Sequence, residues 1–170
     1  MKNAVLNAEE ARELFEYEPS TGRIFWKVSR SNKIRVGQEA GSARADGRVR
    51  VGVGTKSYLR ARLAWLIHTG SWPRHDIDHI DGDKGNDALH NLRDIKHSVN
   101  MQNLRKATKA KRLSSLLGTT FRSDLKSKPW AAKITVEINK VKTIGYFATE
   151  EQAHAAYVDA KRRLHEGCTL

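Results

Sequence analysis

Apolar residues recur along the chain with two different periods, and the change from one to the other marks out its elements. Leu6, Ala11, Leu14 and Phe15 fall at helical spacing. Asn7 followed by Glu10 is a capping-box pattern, so a short helix is predicted near the N-terminal end. Pro19–Gly22 reads as a turn and Arg23–Val28 as a strand. Around Asp46-Gly47 the period becomes two: Val49, Val51 and Val53 alternate with Arg48, Arg50 and Gly52, so one face of a hairpin strand is apolar and the other carries arginine. Arg60–Thr69 returns to helical spacing, with Leu63, Ala64, Leu66 and Ile67 available to a core and Gly70 as the stop. From Gly118 onward, Trp130, Ala132, Ile134, Val136 and Ile138 alternate as a half-buried strand does, and the segment 139–147 is its partner. Thr149 and Gln152 then open a helix whose apolar face is Ala153, Ala156, Tyr157, Ala160 and Leu164. The second pattern predicts a small domain of three strands and one helix.

Charge separates these regions. The 170 residues carry 31 Lys and Arg against 19 Asp and Glu, a formal net charge of +12. That balance points to a polyanion, with nucleic acid leading because neutralised phosphates release counterions. The single cysteine, Cys168, excludes an internal disulfide and any structural zinc site built on two Cys pairs. No secretory signal is visible, and no apolar run approaches the ~18 residues of a membrane span. A reducing, cytoplasmic location is expected.

Against this basic background, residues 72–95 hold six aspartates (76, 78, 81, 83, 87 and 94) and three basic residues, Arg74, Lys84 and Arg93. A calcium loop of the EF-hand type fails here. Counting from Asp81, the fifth position is Gly85, the sixth is Asn86 where glycine belongs, and the twelfth is Leu92 where glutamate belongs. Asp78 and His79 stand side by side in a short strand, so their side chains point to opposite faces. That geometry suits one ligand and one neighbouring base. Asp81, Asp83 and Asp87 are expected to build turns. Downstream, His97 and Asn100 share a face if a helix begins near His97, and either could be a ligand. From Met101 to Leu117 the chain carries five basic residues and no acid, a helix start running into a basic linker.

Asp78–Asn103, with its Asp-His pair, Asp-Gly turn, Asn91-Leu92-Arg93 step and Asn100, resembles the HNH motif of the ββα-metal nucleases, in the form common to phage and intron-encoded homing endonucleases. The resemblance implies a site-specific DNA endonuclease, a phosphodiester hydrolase. It also implies His79 as general base, Asp78 and Asn100 as ligands of one divalent metal, Mg²⁺ or Mn²⁺, and Asn91 holding the loop and orienting His79. Many relatives read His-Arg-Leu-Ala-Trp before the motif, where this chain has Ala61 in the histidine's place and keeps Arg62 as a phosphate contact. The alternative is a sequence-specific DNA-binding protein with a decayed nuclease core.

Residues 118–164, through Trp130-Ala131-Ala132, a Gly145-Tyr146-Phe147 turn and Ala156-Tyr157 on the last helix, resemble the DNA-binding domain of the APETALA/ethylene-response-factor type. In that family a three-stranded sheet enters the major groove. The resemblance implies double-stranded DNA as partner, with Arg122, Lys133, Thr135 and Lys142 on the DNA face. The arginine face of the hairpin strand and the basic linker add Arg48, Arg50, Arg105, Lys106 and Lys109 as expected contacts.

The expected fold is α+β. It comprises an N-terminal β-rich region with flanking helices (1–70), the HNH ββα-metal motif (71–103), a basic linker (104–117) and the C-terminal domain (118–170). A monomer or weak dimer is expected, and one active site per chain predicts nicking of one strand unless two chains pair.

Overall fold

The computed structural model of the chain describes residues 6–102, 114–137, 140–165 and 168. Helices and strands are mixed, as the patterning implies, and they fall into two compact units, residues 1–96 and 97–170. The boundary lies inside the segment expected to form one nuclease motif. The basic residues Arg105, Lys106 and Lys109 lie outside the described residues, as does most of the expected linker.

The first unit opens with helix α1 (Ala8–Leu14). The Asn7 side chain accepts from the Glu10 N–H and the Glu10 side chain accepts from the Asn7 N–H, completing the box. Phe15, expected on this helix, instead starts strand β1 (Phe15–Glu18), because its extended backbone (φ −132°, ψ 149°) ends the helix. Strand β2 (Arg23–Trp26) pairs antiparallel with β1, so that Phe15 lies opposite Trp26 and their rings pack at 4.4 Å. A second antiparallel sheet has the order β3 (Ser42–Ala43), β4 (Val49–Val53), β5 (Lys56–Leu59). Its alternation is the expected one, with Val51 fully buried. Helix α2 (Arg60–Thr69) follows directly and stops at Gly70, whose φ of 82° is the left-handed cap glycine tolerates.

Leu63, Ala64 and Leu66 of α2 join Phe15, Ile24 and Val51 in a single core. Ala61 belongs to the same core at 7% exposure, so its small side chain fills a packed position. Strands β6 (Asp76–His79) and β7 (Leu92–Ile95) then form a two-stranded antiparallel sheet.

The second unit holds α3 (His97–Gln102), a sheet of order β10 (Lys140–Phe147), β9 (Trp130–Glu137), β8 (Thr119–Phe121), and helix α4 (Glu150–Leu164). Thr149 caps α4 by accepting from the Gln152 N–H. Ile134, Ala153 and Tyr157 form its core. Gly145-Tyr146-Phe147 is strand rather than turn: these residues pair with Ala132, Ala131 and Trp130 beyond a register shift at Thr143. Among the described residues no helix is long and apolar enough to cross a membrane.

The β1–β2 turn touches a distant part of the first unit. Gly22 is buried with φ 76°, and a Cβ there would sit 2.2 Å from the carbonyl carbon of Asp87 and 2.3 Å from the nitrogen of Ala88. Neither backbone can yield cheaply, and an L side chain is strained at that φ. Gly22→Ala is expected to cost about 2–4 kcal/mol through strain and overpacking together, read as a lower denaturant midpoint.

Candidate active site

The site grows from the β6–β7 pairing. Strand alternation sends Asp78 and His79 to opposite faces. The register sets Asp78 across from Arg93 and His79 across from Leu92, which lies in the core. On one face, Arg93 donates to Asp78 Oδ2 through Nε at 2.9 Å and Nη2 at 2.7 Å. On the other, His79 is 8% exposed, and its Nε2 lies 2.7 Å from Asp87 Oδ1.

Asp87, expected to shape a turn, is instead the hub. It is 1% exposed. Its Oδ2 accepts from Arg60 Nε at 2.7 Å, and Arg60 itself is buried at the start of α2. Arg60 also donates to Glu39 Oε1 at 3.1 Å and to the Gly85 carbonyl at 2.8 Å. Glu39 is shared with Arg23, whose hydrogen bond holds the Glu39 carboxyl below the usual range, with Arg60 contributing. From the hairpin side, the Tyr17 hydroxyl donates to the Asp87 carbonyl at 3.0 Å. Burial, and then the negative charge of Asp87, push the Tyr17 hydroxyl up to about 12.

Twelve positions separate His79 from Asn91, and the loop between them is tied internally. Asp81 Oδ1 accepts from the Asp83 N–H and Asp83 Oδ1 from the Gly85 N–H, the turn-building expected of both. Asn91 closes the loop: its Oδ1 accepts from the Asp81 N–H at 2.9 Å, and its Nδ2 donates to Asp81 Oδ1 and to the Asn86 carbonyl. The Asn91 carbonyl accepts from the Ile80 N–H at 2.9 Å, bracing the chain one residue past His79. Asn91 therefore holds the loop, whereas the His79 ring is bonded to Asp87. Burial opposes ionisation of Asp81, but hydrogen bonds from Asn86, Asn91 and the Asp83 N–H outweigh it and keep its carboxyl below the ordinary aspartate range.

The remaining candidates are distributed. α3 begins at His97, and its Asn100 is half-buried while His97 is exposed. Arg62 donates to the carbonyls of His75 and Pro73, pinning the approach to β6, an engagement that leaves less of its guanidinium for phosphate. Arg48 is ion-paired with exposed Asp46, and Arg122 with exposed Asp124. Arg50 is half-buried, with its Nε enclosed and unpartnered. In the second unit, Lys133 lies opposite Thr143 and Thr135 opposite Val141, on one face of the sheet. Lys142 lies opposite Ile134, which is a core residue, so the register places it on the other face from Lys133 and Thr135.

Among the described residues no group of three or more His, Cys, Asp and Glu side chains is arranged to hold a metal. The expected donor set is smaller, one carboxylate and one amide, and its oxygens suit a hard divalent cation. Asp78 supplies a carboxylate nearly removed from solvent, with its Oδ2 engaged by Arg93, so a cation there would share that carboxylate with the guanidinium.

Residues 58–102, from Tyr58 in β5 to Gln102 in α3, match the family described as HNH endonuclease. That stretch is an HNH endonuclease domain, and the C-terminal sheet and α4 lie beyond it. The chain is also similar to the HNH homing endonuclease I-HmuI, in a structure described as "DNA binding and cleavage by the HNH homing endonuclease I-HmuI", at 22% identity and a TM-score of 0.42. The match covers 57% of this chain and 55% of that one, so this chain spans about half the length of its neighbour. Nothing among curated proteins matches.

Sequence reasoning singled out His79, Asp78 and Asn91 and passed over Asp87 and Arg60. The signal for Asp87 was present only as acid beside an apolar residue, Ala88, which is itself buried at 2%.

Asn91→Ala removes three side-chain hydrogen bonds from the loop and is expected to cost about 1–3 kcal/mol, with faster exchange of the Asp81 amide. A depressed folded-state pKa stabilises above the ordinary aspartate value and is lost as pH falls through the folded one. In the variant, carboxyl NMR should show Asp81 titrating closer to the ordinary value, so the loop's acid-induced loosening begins at higher pH.

Proposed function

We propose that the chain is a metal-dependent DNA endonuclease of the nicking or homing type, with its catalytic centre in the HNH domain and DNA binding shared with the C-terminal unit. The observation that carries this reading is a buried histidine, His79, held through one ring nitrogen and adjacent in β6 to a carboxylate, Asp78, within residues that match HNH endonuclease.

In this reading His79 accepts a proton from water as the water oxygen bonds to phosphorus, and the bond from phosphorus to the leaving 3′ oxygen breaks. An imidazole suits the task because its unperturbed pKa lies near neutrality. A divalent cation, Mg²⁺ or Mn²⁺, would be held by Asp78 and Asn100 and would supply Lewis-acid stabilisation of charge on the phosphate and leaving oxygen. Asn91 keeps the loop after His79 closed. The +12 net charge brings duplex DNA to the site. Lys133 and Thr135 on one face of β9, Arg122 beside it, and Lys142, Arg48, Arg50, Arg105, Lys106 and Lys109 are the proposed contacts. The resemblance of the C-terminal unit to the APETALA/ethylene-response-factor type supports groove binding through its sheet.

The rival reading, a DNA-binding protein with a decayed core, drew on Ala61. Ala61 packs in the hydrophobic core, next to Arg60, the ionic partner at that end of α2.

Purified protein with supercoiled plasmid bearing its target and Mg²⁺ or Mn²⁺ is expected to yield nicked circles, and EDTA to stop the reaction. His79→Ala should slow nicking by roughly 10²–10⁴-fold, the usual contribution of a general base, while still retarding DNA in a gel. Equal cleavage by both proteins, or none by either with retention intact, would sink the reading.

A further inference from the structure

A neutral imidazole carries its proton on one nitrogen only, and whichever nitrogen lacks it is the base. At His79 the choice is made by Asp87. The Arg60 guanidinium is always a cation and always a donor, and its Nε is 2.7 Å from Asp87 Oδ2. A carboxylate so paired only accepts. His79 Nε2, 2.7 Å from Oδ1, is therefore the donor, and Nδ1 carries the lone pair. Among the described residues no hydrogen bond engages Nδ1.

We propose that Asp87, backed by Arg60, is a positioning residue that fixes His79 as the Nε2–H tautomer and so presents Nδ1 as the base atom. The consequence for cleavage rests on the nuclease reading above; the tautomer does not. A buried ion pair is a poor device for stability alone, since a well-packed apolar pair often does as well. Here the pair is over-determined. Tyr17 holds the Asp87 carbonyl, Gly22 closes against its backbone, and Leu89 donates to the Pro19 carbonyl just beyond. Glu39 and Gly85 fix the far side of Arg60. Every one of these contacts locates Asp87 Oδ1, and the group it meets is His79.

The test uses the full chain, ¹⁵N-labelled, as wild type and as Asp87→Asn. Long-range ¹⁵N–¹H spectra at a pH where His79 is neutral should show the wild-type proton on Nε2. The asparagine keeps the size of Asp87 but can donate its amide N–H to Nε2, so the proton is expected to move to Nδ1. Plasmid nicking should then fall by roughly 10²–10⁴-fold, as when a general base is disabled, with DNA retardation in gels retained. Asp87→Glu, which keeps the carboxylate, should restore the Nε2–H signal. A wild-type spectrum with the proton on Nδ1 overturns the proposal without any variant, and so does an Asp87→Asn protein that nicks at the wild-type rate. The two claims fail separately: wild-type protein that gives the Nε2–H spectrum yet cuts no DNA removes the nuclease reading and leaves the positioning assignment supported.

Discussion

A carboxylate taken almost entirely out of water must have partners, and at Asp87 that requirement organises the first unit. Its charge is answered by Arg60, buried at the start of α2. Breaking such a pair from one side leaves an uncompensated charge and costs about 3–5 kcal/mol, so neither end can drift. Because Arg60 begins a helix whose apolar residues are core, the ion pair is seated by hydrophobic packing. Because Glu39, bridged to Phe25 of β2, braces Arg60 and Tyr17 of β1 braces Asp87, the β1–β2 hairpin is drawn into the same network. The site histidine is one more ligand of that hub.

Five of the six aspartates concentrated in this stretch of a basic chain thereby have a local partner. Asp81 and Asp83 satisfy backbone N–H groups in the loop. Asp94 accepts from the N–H groups of Arg74 and His75 where the chain enters β6. Asp87 neutralises Arg60, and Asp78 faces Arg93 across the strand pair. The cluster is a set of separate local solutions packed into a short stretch, and its net negative charge is largely answered from within the fold.

Local signals were legible wherever one residue's neighbours in sequence are also its partners in space. The Asn7–Glu10 box, the Gly70 stop, the valine alternation of β4 and the Asp81–Asp83 turns all have that character. The Asp78–His79 pair was readable because alternation in a strand depends only on adjacency. Asp87 was not, since its defining partner, Arg60, lies 27 positions away and is brought to it by the packing of α2. Lys142 shows the same limit: the resemblance groups it with Lys133 and Thr135, but the register of the two strands, with its shift between Lys140 and Val141, sets it opposite Ile134. The division after Lys96 also had no local mark, because it falls between a strand and a helix that the motif joins in sequence.

The contact of Gly22 with the Asp87–Ala88 backbone has a bearing on what counts as a portable module. The stretch that matches the family begins at Tyr58, yet the loop inside it is shaped by a hairpin that ends at Trp26. A graft of residues 58–102 onto another scaffold would carry the histidine and leave behind half of the mould that shapes its surroundings. A recombination junction between β2 and α2 would keep Arg60 and Asp87 with the imidazole but part them from Tyr17 and Gly22, which brace the Asp87 backbone.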